Sequence, residues 1–225
     1  MAQRYEDGEI DFETIQDYLH EQYQEHDLES YDCHSFMLSI LKREYGLPVT
    51  TAPGFNMPDI NEYENSTEWQ EDLASEAKKM FGSPEGQQYK EQLKQFTENI
   101  YKNSEHIPIP KMPLTDDASV DRCQAIARDM VRQVLEKSRS NDKSSVILIS
   151  DARGDKFYDA HSTFVLGVEK GGQDLLVLEK EEVGSSIVIK RLSEIIESYS
   201  FGWRFKNLEL NVCNRPIGEL YPNAA

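Results

Sequence analysis

The spacing of apolar residues changes once along the chain. Up to about residue 139 they recur at helical intervals, and after Asn141-Asp142 they fall into short runs or alternate, as strands do. The clearest segment runs from Tyr31 to Leu41, where Cys33, Phe36, Met37, Ile40 and Leu41 form one core-facing helical stripe. Ser30 or Asp32 can cap its start, and Gly46 and Pro48 can end it, so Cys33 is expected in the first turn of a buried helix. Asp11 to His20 predicts a shorter surface helix carrying Phe12, Ile15, Tyr18 and Leu19.

From Thr51 to Pro113 the chain is polar and punctuated by prolines, with two helical patches, Thr67 to Phe81 and Gln87 to Tyr101, whose apolar faces are thin. Ser119 to Arg139 predicts a longer helix with Val120, Cys123, Ala127, Met130, Val131 and Val134 on its face. Residues 51–139 therefore read as a helical insertion or cap. Strands are expected at Ser145 to Ile149, His161 to Val168, Asp174 to Glu179 and Ser186 to Ile189, with Gly171-Gly172 marking a hairpin. A short helix, Leu192 to Tyr199, and a last strand, Leu208 to Cys213, follow. Helices first and an antiparallel sheet after them make an α+β fold, and 225 residues suit a single domain with elaborations.

Composition narrows the function. A hydrophobic share of 38% with 10% aromatics fits a packed protein rather than a disordered one. Forty-one acidic residues against 24 basic ones give a formal charge of −17, which disfavours nucleic acid and anionic membranes as partners. The N-terminus is polar and acidic, unlike a signal peptide, and no apolar run approaches the roughly 20 residues of a membrane span. The expected location is cytoplasmic, or outside the cell by export without an N-terminal signal. Cys33, Cys123 and Cys213 are far apart and form no C-x-x-C pair, so neither a disulfide framework nor a zinc site is expected. Asp151, Asp155 and Asp159 are spaced like a calcium loop, but Arg153 and Lys156 intervene and the closing glutamate is missing. No metal and no cofactor are expected.

A cysteine at a helix start has thiolate-favouring chemistry, because unpaired amides and the positive dipole end stabilise the anion. Such a nucleophile needs a base and a group that orients it. His161, expected at a strand start on the sheet rim, is the candidate base, and Glu179 on the next strand the candidate orienting acid. A two-residue turn at Gly171-Gly172 would set His161 opposite Glu182 and put Glu179 on the wrong face. Glu179 is expected to need an odd-length loop to share a face with His161, Thr163 and Val165. Cys123, after Asp121-Arg122, is the competing nucleophile, and Cys213 reads as structural. His34, next to Cys33, points about 100° away on a helix and reads as a poor partner for it. His20, His26 and His106 read as solvated.

Asp32-Cys33-His34-Ser35-Phe36, its apolar helix and Gly46-Leu47-Pro48 resemble the nucleophile helix of papain-like cysteine hydrolases. The nearest likeness is to NlpC-type cell-wall endopeptidases and amidases, whose motif runs Asp-Cys-Ser-Gly-Phe. His161-Ser162-Thr163-Phe164-Val165-Leu166-Gly167-Val168 resembles their His-Val-Gly-Ile-Tyr-Val-Gly strand. His34-Ser35 stands where that family carries a small Ser-Gly pair. The resemblance implies a helix packed on an antiparallel sheet, Cys33 as nucleophile, His161 as base, and amide or isopeptide cleavage through a thioester. The substrate it implies is a peptide or protein, with residues 51–139 open to a protein partner. A transglutaminase-like fold is similar in the order of its cysteine, histidine and acid. That leaves transfer to an amine, or deamidation of protein glutamine, as alternatives. A third reading is an inert papain-like binding module.

Overall fold

The apolar runs after residue 145 pair into one sheet, and their neighbours in sequence serve opposite faces of it. The computed structural model describes residues 9–10, 33–45, 66–110, 117–138, 146–153, 156–180, 187–200, 207–213 and 215. The strands are β1 (Glu9–Ile10), β2 (Ser104–Pro108), β3 (Val146–Arg153), β4 (Lys156–Glu169), β5 (Leu175–Lys180), β6 (Ile187–Arg191) and β7 (Leu208–Cys213). The helices are α1 (Cys33–Tyr45), α2 (Ser66–Gly82), α3 (Pro84–Lys102), α4 (Asp117–Ser138) and α5 (Leu192–Ser200). The sheet order is β2-β7-β3-β4-β5-β6, antiparallel throughout, and β1 adds a two-residue parallel pairing to the end of β4. The α+β expectation is met.

Along β3, Val146 and Leu148 join α1 and α3 in one core. Ile147 and Ile149 join α4 and α5 in the other. A strand buried on both faces reads as a continuous apolar run, which is why residues 146–149 carry no polar alternation. Helix α1 is buried almost all round, with Phe36, Met37, Ile40 and Leu41 fully enclosed and Ser35 and Ser39 buried beside them. It packs on β4 and β5, so its first residue, Cys33, is brought to those strands.

The stretch expected as an insertion is more deeply built in than its thin faces imply. Tyr89, Phe96 and Ile100 of α3 lie in the same core as α1. Ser83 caps α3 by accepting from the Gly86 amide at 3.0 Å, with Pro84 in the first turn. Gly86 is required there, since an added Cβ would lie 1.8 Å from the Met80 carbonyl oxygen. β2 forms an edge of the sheet against β7, and α4 covers the sheet's other face. Val120, expected in the core, is exposed, while Cys123, Ala127, Met130, Val131 and Val134 are buried. The expected helix at Asp11 to His20, the caps at Ser30 and Asp32, and the stop at Gly46 and Pro48 lie outside the described residues. Among the described residues no helix is long and apolar enough to cross a membrane.

Candidate active site

Two irregularities in β4 decide which residues meet. Five residues, 170–174, lie between β4 and β5, and the Glu169 amide donates to the Asp174 carbonyl at 2.9 Å, so the turn closed by that pair holds four, 170–173. Gly171 (φ 103) and Gly172 (φ 70) supply the left-handed backbone. Next to this even-length loop Val168 faces Leu175 and Gly167 faces Leu176, a register that would send Glu179 to the α1 face. The register then shifts: Val165 faces Val177 and Phe164 faces Leu178, leaving Leu166 as the extra residue of a bulge. That shift puts Glu179 on the face of Val165, Thr163 and His161. The odd-length loop expected from the sequence is thus corrected to an even loop followed by a bulge.

A second shift precedes His161. Ile149 pairs with His161 and Ser150 with Asp159, so Ala160 is extra. His161 is therefore inside β4, five residues after its first residue, and not at a strand start. Pairing with β5 runs only from Val168 to Phe164, so His161 stands on a length of β4 beyond that ladder.

The three predicted residues come together. His161 Nε2 lies 2.5 Å from Glu179 Oε2, with both side chains buried at 2% and 1% exposure. Cys33 and His161 are close enough to favour each other's charged forms, and with Nε2 engaged by Glu179, Nδ1 is the nitrogen left for sulfur. The second oxygen of Glu179, Oε1, pairs with Lys190 Nζ at 3.1 Å. Tyr199 of α5 stacks on the imidazole at 5.7 Å between ring centroids. Lys190 and Tyr199 escape the sequence reading, since strand register and helix docking decide their places.

Burial pushes the Cys33 thiol up. The charge of His34, a hydrogen bond from His161, a hydrogen bond from His34 and the charge of His161 outweigh it, and the pKa falls from 9.0 to about 6. Burial pushes His161 down, but its hydrogen bonds to Cys33 and Glu179, and their charges, raise it from 6.5 to about 10. Burial likewise disfavours the Glu179 carboxylate, and His161 and Lys190 together hold its pKa below the ordinary value. These shifts favour, at neutral pH, a line of alternating charges: thiolate, imidazolium, carboxylate, ammonium.

His34 corrects the expectation made for it. Its Nδ1 lies 3.1 Å from Ser162 Oγ, and its charge favours the Cys33 thiolate. Cys123 is two turns inside α4 and Cys213 is at the end of β7. Both are buried, and burial pushes both thiols up. His106 is more than solvated: its Nδ1 lies 2.6 Å from Asn211 Oδ1 and its ring packs on Tyr101. His20, His26 and Asp155 lie outside the described residues. Buried Asp151 accepts from the Asn207 amide at 2.9 Å, and no group of His, Cys, Asp and Glu among the described residues could hold a metal ion.

The charge line makes a stability prediction. Cys33, lowered on folding, adds stability that is complete above 9.0 and is lost as pH falls through about 6. His161, raised, adds stability that is complete below 6.5 and is lost as pH rises through about 10. Between 6.5 and 9.0 the slopes oppose, because folding moves a proton from sulfur to imidazole without net uptake or release. Thermal midpoints across that window should stay flat, and a steep climb or fall would show that the proton is not transferred. Compared with known proteins, the chain matches no family model, no curated protein and no solved structure.

Proposed function

We propose that the chain is a cysteine hydrolase that cleaves an amide or isopeptide bond, with Cys33, His161 and Glu179 as its catalytic residues on a papain-like core. One observation carries this: a buried imidazole–carboxylate pair, His161 and Glu179 at 2.5 Å, beside a buried cysteine at the start of α1 whose surroundings favour the thiolate in spite of burial. A merely structural cysteine in such a place is pushed up, as Cys123 and Cys213 are. The same contrast argues against an inert binding module.

In this mechanism the Cys33 thiolate adds to the substrate carbonyl, whose electron pair moves to oxygen. Backbone amide at the start of α1 receives that oxyanion. As the carbon–nitrogen bond breaks, the leaving amine takes the proton from His161 Nδ1 and a thioester remains. Neutral His161 then takes a proton from water as its oxygen attacks the thioester, and sulfur leaves as thiolate beside a re-protonated imidazole. Glu179 holds the ring by Nε2 throughout, and Tyr199 covers it. An amine in place of water would give transfer instead of hydrolysis.

A second reading keeps the site and changes the substrate. Cys33 is only 6% exposed, which favours a slender acyl group such as a glutamine side chain over a branched peptide backbone. Ammonia would then leave, and the activity would be that of a deamidase or transglutaminase.

Thiol reactivity tests the proposal. Iodoacetamide at pH 7 should modify Cys33 in the folded protein and spare Cys123 and Cys213, read by peptide mass spectrometry. Incubation with peptide amides should then release amine or ammonia through a thioester at Cys33. Modification of Cys33 only on unfolding, together with its neighbours, would falsify the hydrolase reading.

A further inference from the structure

Two imidazoles influence the thiol of Cys33, and the mechanism above uses one. His34 is held from the sheet side: its Nδ1 and Ser162 Oγ are 3.1 Å apart, and Ser162 is buried. Ser162 directly follows His161 in β4 and faces the opposite side of the sheet, pairing with Leu148 in the α1 core. Two consecutive strand residues thus bear on the same cysteine, His161 by its own ring and Ser162 by fixing the ring of the residue next to Cys33. With Nδ1 on Ser162, Nε2 of His34 is the nitrogen left for another partner.

We propose that His34 is a second catalytic imidazole: pinned by Ser162, it holds the Cys33 sulfur in its anionic form, while His161 carries the proton. The inference rests on Cys33 being the nucleophile of the proposed site and adds a division of labour to it. Sulfur is an anion when it attacks and again when it leaves the thioester. At both moments His161 is an imidazolium, and it is neutral in between, so a charge on His34, outside the proton relay, is one that stays beside the sulfur through the whole cycle. The other charged groups around the sulfur are His161 on β4, Glu179 on β5 and Lys190 on β6 behind it. Lys180, buried at the end of β5, points to the α1 core, opposite Ile187. The charge of His34 is the largest of the favourable influences on the thiolate, ahead of either contact with His161.

The test is the pH dependence of iodoacetamide alkylation at Cys33, read by mass spectrometry on the folded full chain. His34→Ala should move the alkylation midpoint upward by about one pH unit or more, as loss of an opposite charge within contact distance does. His34→Gln, which keeps a donor without the charge, should move it nearly as far, and Ser162→Ala should move it less in the same direction. His161→Ala should leave the midpoint below that of an ordinary thiol, because His34 remains. Where His34→Ala fails a circular dichroism check of folding, His34→Gln decides. A His34 variant that titrates at the wild-type midpoint overturns the inference, as does an ordinary thiol midpoint in His161→Ala. Alkylation uses no amide substrate, so the two proposals fail separately. If no amide is ever cleaved but this pattern holds, the hydrolase reading falls and His34 stands. If amides are cleaved and His34 variants titrate like wild type, the reverse follows.

Discussion

Serine in place of Cys33 should leave the fold intact and remove amide cleavage by on the order of 10⁴-fold or more. The two side chains have nearly the same size, so the core around Phe36 and Met37 has no reason to rearrange. The difference is acidity. The surroundings bring a thiol from 9.0 down to about 6, and a shift of that size leaves a hydroxyl protonated across the whole working range. His161 then has no anion to hand over, and the alcohol must be deprotonated during attack by an imidazole that is already protonated. A second readout follows without any substrate. The hydrogen bond to Cys33 comes first among the influences that raise His161, so the imidazole pKa should fall from about 10 in Cys33→Ser. Imidazole proton or nitrogen resonances followed against pH would show this. An unchanged titration would mean that sulfur and ring do not interact, and retained cleavage would place the nucleophile elsewhere.

What the sequence reveals of this site follows from what is local. The stripe of Cys33, Phe36, Met37, Ile40 and Leu41 is a helical period, and all five residues are buried in α1 as that period requires. The runs at 146–149, 175–179 and 208–213 are strands for an equally local reason: both their faces are covered. Cys33, His161 and Glu179 could be picked out as types at suitable places. Their meeting depends on Leu166, a bulge that no period announces, although Gly167 inside an apolar strand is a hint of one. Ala160, the other extra residue, is equally silent. β2 was hidden by its brevity and by Pro108, which an edge strand tolerates at its end. Lys190 becomes visible only once β6 is set against β5, where it lies opposite Val177 and two residues from the partner of Glu179. Helix geometry alone separates His34 from Cys33, and the residue that holds the His34 ring, Ser162, lies on a distant strand.

Alanine in place of Glu179 should destabilise the fold by about 3–5 kcal/mol, the usual consequence of removing one member of a buried ion pair. The carboxylate is 1% exposed and has both oxygens engaged, Oε2 by His161 and Oε1 by Lys190. Its loss leaves an imidazolium at 2% exposure with a single anionic contact, the thiolate. Glutamine separates this stability effect from the catalytic one. Its amide fills the same space, so the fold should suffer less, but one side-chain oxygen and one NH₂ group cannot serve two donors. If the oxygen accepts from His161, the NH₂ group meets the Lys190 ammonium. If the NH₂ group faces His161, the ring must accept at Nε2 and keep its proton on Nδ1, where the base has to be free. Cleavage by Glu179→Gln should therefore fall by roughly 10²–10⁴-fold, the range expected when an orienting acid is lost and the wrong tautomer is favoured. The pH profile gives the sign. Wild-type activity should rise through about 6 as the thiolate forms and fall near 10 as the imidazolium loses its proton. Glu179 is among the groups that hold His161 up, so in Glu179→Gln the alkaline limb should move toward neutral pH. The acid limb should move less, because His34 still faces the sulfur. Glutamine with wild-type cleavage and an unmoved alkaline limb would reduce Glu179 to a packing residue, and the acid of the site would have to be sought on another strand.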